Sequence, residues 1–215
     1  MARFRIVKHK ISDAIYLLRF ETLYELGSTF LRIQEHYESP RFHGRVFTLE
    51  QFMDWYVAKN ARKECSFTYF EDWDGFNVPS RAFDPFYDGA FDPLLEKERR
   101  LLDEIQNLNL KGRFYIIGVA GKQALKHEIA HALFSVDDGY HDAVCAAMRG
   151  FDTSVLRGRI LKEGYARHVV DDETQAYIIA PEDNLNGNTR ALAPLRRELR
   201  ALFRKHSAGL KIPKL

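Results

Sequence analysis

The chain has 215 residues and a formal net charge of +2, and 46% of its residues are hydrophobic while 29% are charged. These values are typical of a soluble globular protein with a sizeable core, and they give no overall bias toward nucleic acid or membranes. The short apolar stretch at 14–18 is followed by Arg19 and Glu21, which excludes a membrane span and a cleavable signal there. We therefore expect one domain over residues 1–215.

The cysteine content indicates a reducing environment. The chain has two cysteines, Cys65 and Cys145, which are far apart and form no CxxC pair. A disulfide framework is therefore not expected, and the sequence predicts a cytoplasmic protein.

Residues 1–110 are predicted to be helical and aromatic and to form one side of a cleft. A short strand is expected at 4–8. Ser12 is a good N-cap, and apolar residues at helical spacing predict a helix from Ser12 to about residue 37. Thr48 and Gln51 have capping-box spacing, which predicts a second helix to about Lys59.

Residues 65–91 are dense in aromatic side chains and in turn-forming Asp, Gly and Pro. Strand-forming residues at 66–70 predict a strand, and the punctuation after it predicts a long loop. Two interpretations stay open. The strand and loop could accept an extended peptide by β-addition, or the aromatic side chains could pin the loop to the core. Asp92 and Pro93 then predict the start of a helix that runs to about Asn107.

A strand predicted at 114–119 leads into a helix at 124–134 that carries the sequence His127-Glu128-Ile129-Ala130-His131. Residues four apart lie on one face of a helix, so both imidazoles can reach one metal ion from a single rigid element. Glu128 lies at the rim of that face, where it can hold a water molecule and take its proton. The pattern predicts a zinc centre with Glu128 as a catalytic residue, within a metal-binding part at 111–180.

A catalytic zinc ion takes three protein ligands and leaves one position for water. Glu173 is the preferred third ligand because it shares a helical face with small and aromatic residues, where a lone carboxylate is costly to bury without a cation. Asp171 or Asp172 is expected to cap that helix, and either could orient a ligand imidazole. The alternatives for the third ligand are Asp137, His141, Asp142 and Glu163.

This arrangement resembles the zincin-fold HExxH zinc metallopeptidases, specifically the gluzincins, which hold zinc with two histidines and one glutamate. The resemblance covers roughly residues 112–180. It departs from the pattern at Tyr177, where gluzincins commonly have an acid, and in the longer gap between His131 and Glu173.

The resemblance implies an α+β fold with a small mixed sheet, a central active-site helix and several surrounding helices. It also implies zinc held by His127, His131 and Glu173, and cleavage of a peptide or protein substrate with Glu128 as general base. The oxyanion needs a second donor, and the candidates are Tyr177, Tyr165, His168 and Tyr140. The alternatives are hydrolysis of a non-peptide amide and a non-enzymatic, zinc-containing binding or regulatory protein.

The C-terminal part, residues 181–215, is predicted to be a loop at 181–188 followed by a basic helix. Pro194 begins that helix, which has a leucine-rich face and many arginines on its remaining surface. A docked helix with a solvated charged face is the preferred interpretation, so neither nucleic acid nor a membrane is expected as a partner.

Overall fold

The computed structural model describes residues 5–59, 66–120, 125–180 and 190–214. Within them the chain forms a mixed α+β architecture with one four-stranded sheet and ten α-helices. The strands are β1 (Val7–Lys10), β2 (Ile15–Phe20), β3 (Gly75–Pro79) and β4 (Tyr115–Ala120). Their order in the sheet is β1-β2-β4-β3; β2 and β4 are parallel, and the two outer strands are antiparallel to their neighbours.

The helices flank the sheet on both faces. They are α1 (Leu23–Glu38), α2 (Leu49–Lys59), α3 (Tyr69–Asp72), α4 (Asp84–Tyr87), α5 (Glu96–Gln106), α6 (Leu125–Val136), α7 (Asp138–Met148), α8 (Ser154–Glu163), α9 (Val170–Ile179) and α10 (Ala193–Ser207). Among the described residues, none of these helices combines the length and apolar character needed to cross a membrane.

The sheet separates two hydrophobic clusters because successive residues of a strand point to opposite faces. Ile117 of β4 belongs to the cluster that contains residues of α6, α7, α9 and α10. Its neighbour Ile116 belongs to the cluster that contains residues of α1, α2 and α5. Gly118 lies under α1, where a Cβ atom would come within 2.7 Å of the Phe30 ring, so glycine allows the close approach of that helix.

The helix predicted from Ser12 is wrong in its first half, because residues 15–20 form β2 and α1 begins only afterwards. The Ser12 hydroxyl accepts the backbone N–H of Ile15 at 3.1 Å in the turn before β2. Thr22 caps α1 instead, since its hydroxyl accepts the N–H of Glu25 at 3.1 Å. Residues 15–20 have apolar side chains on both faces, so their spacing does not distinguish a strand from a helix. Their pairing with β4 shows that they form a strand.

The prediction of a strand at 66–70 is also wrong, because this stretch leads into helix α3. The strand of this region is β3, which begins only at Gly75. The hydroxyls of Tyr56 and Thr68 both donate to the Asp72 carboxylate and hold the short helix. The long loop predicted here is largely structured by α3, β3 and α4. Its buried aromatic residues are Tyr69, Phe76, Phe83, Phe86 and Phe91. The interpretation in which aromatic side chains pin this segment to the core is confirmed.

Other predicted boundaries fit better. Thr48 and Gln51 form the predicted capping box of α2, with hydrogen bonds of 2.9 and 3.1 Å. The predicted strand at 114–119 corresponds to β4, and the predicted helices at 124–134 and from Pro194 correspond to α6 and α10. Residue 124, Cys65 and the predicted loop at 181–188 lie outside the described residues.

A buried ion pair joins α1 to α5. Arg32 Nε donates to Glu98 Oε1 at 2.7 Å, a second guanidinium nitrogen bonds the other carboxylate oxygen, and both residues are buried. Glu98 Oε2 also accepts the N–H of Leu95 at 2.9 Å. This side-chain cap explains why α5 begins at Glu96 and not near Asp92 as predicted.

Replacing Glu98 with Gln should destabilise the fold by about 3–5 kcal/mol, because Arg32 is left as a buried charge without its partner. Urea denaturation monitored by circular dichroism measures the change. The matched control is Glu104→Gln on the same helix, where the ion pair with Lys8 at 2.5 Å is partly exposed and should contribute less than about 1 kcal/mol. Equal losses in the two variants would contradict this assignment.

Candidate metal centre

Helix α6 presents two buried imidazoles on one face. His127 and His131 are 5% and 1% exposed, and their Nε2 atoms lie 3.0 Å apart. The rest of the helix is anchored in the core by five buried apolar side chains, Leu125, Ile129, Ala130, Ala132 and Leu133. The spacing of four residues therefore places both nitrogens on one side of a fixed helix, as predicted from the sequence.

Glu173 on α9 faces the two histidines and is 5% exposed. Its Oε2 atom lies 3.7 Å from His131 Nε2 and makes no hydrogen bond within the described residues. Ligand atoms of His127, His131 and Glu173 all lie within 4.8 Å of one another. A buried carboxylate without a hydrogen-bond partner is costly, so the three side chains fit a bound metal cation. Two imidazoles and a carboxylate are donors that zinc accepts.

The pKa values of the two histidines are shifted in opposite directions. Burial and the charge of His131 lower the pKa of His127 to about 3. Burial also disfavours charge on His131, but the charges of Asp172 and Glu173 outweigh it and raise its pKa to about 10. Burial raises the pKa of Glu173 well above its usual range. In the metal-free protein, His131 is therefore protonated and His127 is neutral. A bound cation would replace one of the two ring protons of His131.

Asp172 orients His131 from behind. His131 Nδ1 donates to Asp172 Oδ1 at 2.8 Å, and Gln175 Nε2 donates to the same oxygen at 3.1 Å. The hydroxyl of Tyr140 donates to Gln175 Oε1 at 3.0 Å. A ligand imidazole that donates its other N–H to a carboxylate is held in one tautomer and one ring orientation.

The prediction that Asp171 or Asp172 caps the helix is wrong. Helix α9 begins at Val170, and no side chain forms a capping hydrogen bond at its start. Asp171 pairs with Arg157 at the surface instead. Asp172 turns inward to His131, which is the second of the two roles predicted for this pair.

Tyrosines pack beside His127. The Tyr177 ring centroid lies 4.8 Å from that of His127, and the Tyr177 hydroxyl lies 3.2 Å from the Tyr165 hydroxyl. His127 also forms a hydrogen bond with the backbone of Ala180. Of the four candidate oxyanion donors, Tyr177 therefore packs directly on His127, and Tyr165 contacts Tyr177.

The other two candidate donors lie elsewhere. Tyr140 belongs to the hydrogen-bond chain behind His131, as described above. The His168 ring packs on His43 with the centroids 4.0 Å apart, and it also contacts the ring of Tyr37.

The alternative third ligands have other roles. Asp137 caps α7 through the N–H of Tyr140 at 2.9 Å, and His206 donates to its second oxygen at 2.7 Å. His141 contacts Asp142 at 3.1 Å on the exposed side of α7. Glu163 is exposed at the end of α8. Among the described residues, none of these four joins the group of His127, His131 and Glu173.

Glu128 is half-buried and points toward β3. The side-chain amide of Asn77 donates to Glu128 Oε2 at 2.6 Å. At Gly75 a Cβ atom would lie 2.7 Å from Glu128 Oε1, so only glycine leaves room for this carboxylate. The predicted catalytic base therefore contacts the edge strand of the sheet.

Sequence reasoning missed two polar residues near the centre, Asn77 and Glu38. Glu38 ends α1, and its backbone carbonyl accepts the N–H of Ala166 at 3.0 Å. Burial raises the pKa of Glu38 to about 8, and the charges of His131 and Glu128 also act on this carboxyl. The only available signal was an acid at the end of a helix, which is an ordinary surface feature.

Comparison with known proteins identifies no relative: no family model, no curated protein and no solved structure matches the chain significantly. The metal centre therefore rests on the geometry of this chain alone.

Replacing Glu173 with Ala should remove most of the bound metal, because the remaining two histidines leave the cation without its carboxylate ligand. Elemental analysis of the protein after zinc loading and desalting measures this as a fall from about one zinc per chain. Glu163→Ala is the matched control, since that exposed carboxylate should leave the zinc content unchanged. Loss of zinc in the control instead of in the Glu173 variant would reject the assignment.

Replacing Asp172 with Asn should weaken zinc binding about 10- to 100-fold, because the amide no longer fixes His131 as a carboxylate does. Competition with a zinc chelator of known affinity measures the change. Asp171→Asn on the adjacent, outward-facing position should bind zinc as tightly as the wild type. Equal affinities in all three proteins would contradict the orienting role of Asp172.

Proposed function

We propose that this chain is a zinc-dependent hydrolase of gluzincin type that cleaves peptide bonds. The observation that carries the proposal is the buried group of His127, His131 and Glu173 with Glu128 adjoining it. In this proposal the three residues would hold zinc, which would supply polarisation of the scissile carbonyl and a lower pKa for the attacking water.

Glu128 performs the proton transfers. Its carboxylate accepts a proton from the attacking water as the water oxygen adds to the carbonyl carbon. It then donates that proton to the amide nitrogen as the carbon–nitrogen bond breaks, so a carboxylic acid and an amine are released. The half-buried position of Glu128, one residue from His127, suits a group that must contact both water and substrate. Tyr177 is the proposed second donor to the oxyanion, because its ring packs on His127.

The open edge of β3 supports an extended peptide as the substrate. The N–H of Ala120 donates to the carbonyl of Asp74, and the N–H of Ser80 donates to the carbonyl of Phe114. In the antiparallel register of β3 and β4, the even-numbered residues of this segment therefore form the backbone hydrogen bonds with β4. The backbone groups of Gly75 and Asn77 therefore point away from β4. Within the described part of the chain no strand covers that edge. A peptide that adds there lies beside Glu128.

Replacing Glu128 with Gln should leave zinc bound but lower the rate of peptide cleavage about 10²- to 10⁴-fold, because the amide cannot accept the proton. A fluorogenic library of extended peptides, assayed with the zinc-loaded protein, measures the rate, and elemental analysis measures the metal. Glu163→Gln is the matched control and should cleave as the wild type does. Full zinc occupancy without cleavage of any library peptide would overturn the peptidase proposal.

A further inference from the structure

Two of the β3 residues whose backbone faces the open edge, Gly75 and Asn77, also adjoin Glu128. Gly75 and Asn77 have outward-pointing backbone groups, as derived above, and alternation along the strand places their side-chain positions on the α6 face. The backbone of Asn77 thus faces the open edge of β3, and its side chain contacts Glu128.

We propose that Asn77 is a positioning residue that sets the orientation of Glu128, and that an extended peptide paired with β3 aligns the base together with the scissile bond. The second part rests on the proposed peptidase function. The first part concerns only contacts between residues of this chain.

A hydrogen-bond chain fixes the side-chain amide of Asn77 at both ends. Its Nδ2 donates to Glu128 Oε2 at 2.6 Å, and its Oδ1 accepts the hydroxyl of Tyr115. Tyr115 is 1% exposed, so its hydroxyl needs an acceptor inside the protein. Asn77 and Tyr115 lie diagonally across β3 and β4 on the same face, where long side chains reach each other. The amide therefore cannot rotate without breaking both of these hydrogen bonds.

Gly75 restricts the same carboxylate from a second position. Its missing Cβ would lie 2.7 Å from Glu128 Oε1, so the base fills the space that any side chain would take. One oxygen is held by a hydrogen bond, and the other lies against the bare backbone of the strand. A base confined in this way starts close to the orientation that the reaction needs, and alignment is a large part of catalysis by proximity.

This arrangement favours one class of substrate. A peptide long enough to pair with Gly75 and Asn77 immobilises the strand that holds Glu128, whereas a short amide cannot make those backbone hydrogen bonds. Binding energy from residues away from the cleaved bond is then used to align the base. Extended peptides should therefore have a higher kcat than short amides as well as a lower KM.

The catalytic test compares three variants with zinc bound. Asn77→Asp keeps the shape and the acceptor for Tyr115 but loses the donor to Glu128, and kcat should fall about 10- to 100-fold with KM changed less than about threefold. Tyr115→Phe should lower kcat about 2- to 10-fold, because the amide is no longer held at its far end. Asn107→Asp, at the exposed end of α5, should leave both constants unchanged. Unchanged kcat in Asn77→Asp would overturn the proposal.

A second test needs neither substrate nor metal. In the metal-free protein, the side-chain NH₂ resonances of Asn77 should shift and exchange faster with solvent in Glu128→Ala, because their acceptor is gone. Gly75→Ala should also shift them, since the new methyl group displaces the carboxylate, whereas Gly158→Ala, with open space around it, should not. Resonances that are insensitive to both Glu128→Ala and Gly75→Ala would overturn the positioning role.

The two tests separate the two proposals. If the zinc-loaded protein cleaves no peptide, the peptidase function and the peptide-pairing part fail together, and the amide resonances still decide whether Asn77 positions Glu128. If peptides are cleaved while Asn77→Asp keeps the wild-type kcat, the peptidase function stands and the positioning role fails.

Discussion

The buried carboxylate of Glu173 is the constraint on which the rest of the site depends. A buried carboxylate is costly unless a proton, a cation or several hydrogen bonds stabilise it. The Oε2 atom of Glu173 has no hydrogen-bond partner within the described residues. The two imidazoles that face it come from a different helix, so the packing of α9 against α6 in one hydrophobic cluster creates the site. Without a metal, protonated His131 donates from Nδ1 to Asp172 and faces Glu173 with Nε2; a bound cation would replace only the proton on Nε2.

The sheet connects this centre to the open edge of β3. Helix α6 lies on the face formed by alternate residues of β3 and β4, so Glu128 reaches the edge strand while His127 and His131 face α9. The opposite face is covered by α1, which the buried pair of Arg32 and Glu98 ties to α5. Glu38 at the end of α1 adds a further acid whose charge interacts with His131 and Glu128.

The sequence predicts the parts of the site that depend on local geometry. His127, Glu128 and His131 lie within one turn of a helix, and the acid on the inward face of α9 follows from the same helical period. Asn77 and Gly75 could not be predicted, because their contact with Glu128 depends on how β3 registers with β4 and where α6 packs on the sheet. The misassigned residues 15–20 have a similar cause, since a run buried on both faces has no period that separates strand from helix. Asp172 was one of two adjacent candidates, and only the packing of α9 decides which of them turns inward.

The central claim is that His127, His131 and Glu173 are the protein ligands of one zinc ion. X-ray absorption spectroscopy of the zinc-loaded protein tests it most directly, because it reports the type and number of atoms bound to the metal. We expect nitrogen and oxygen neighbours at about 2.0–2.2 Å with the multiple-scattering signal of two imidazoles, reduced to one imidazole in His131→Ala. A sulfur neighbour at about 2.3 Å, or a spectrum unchanged in His131→Ala, would contradict it.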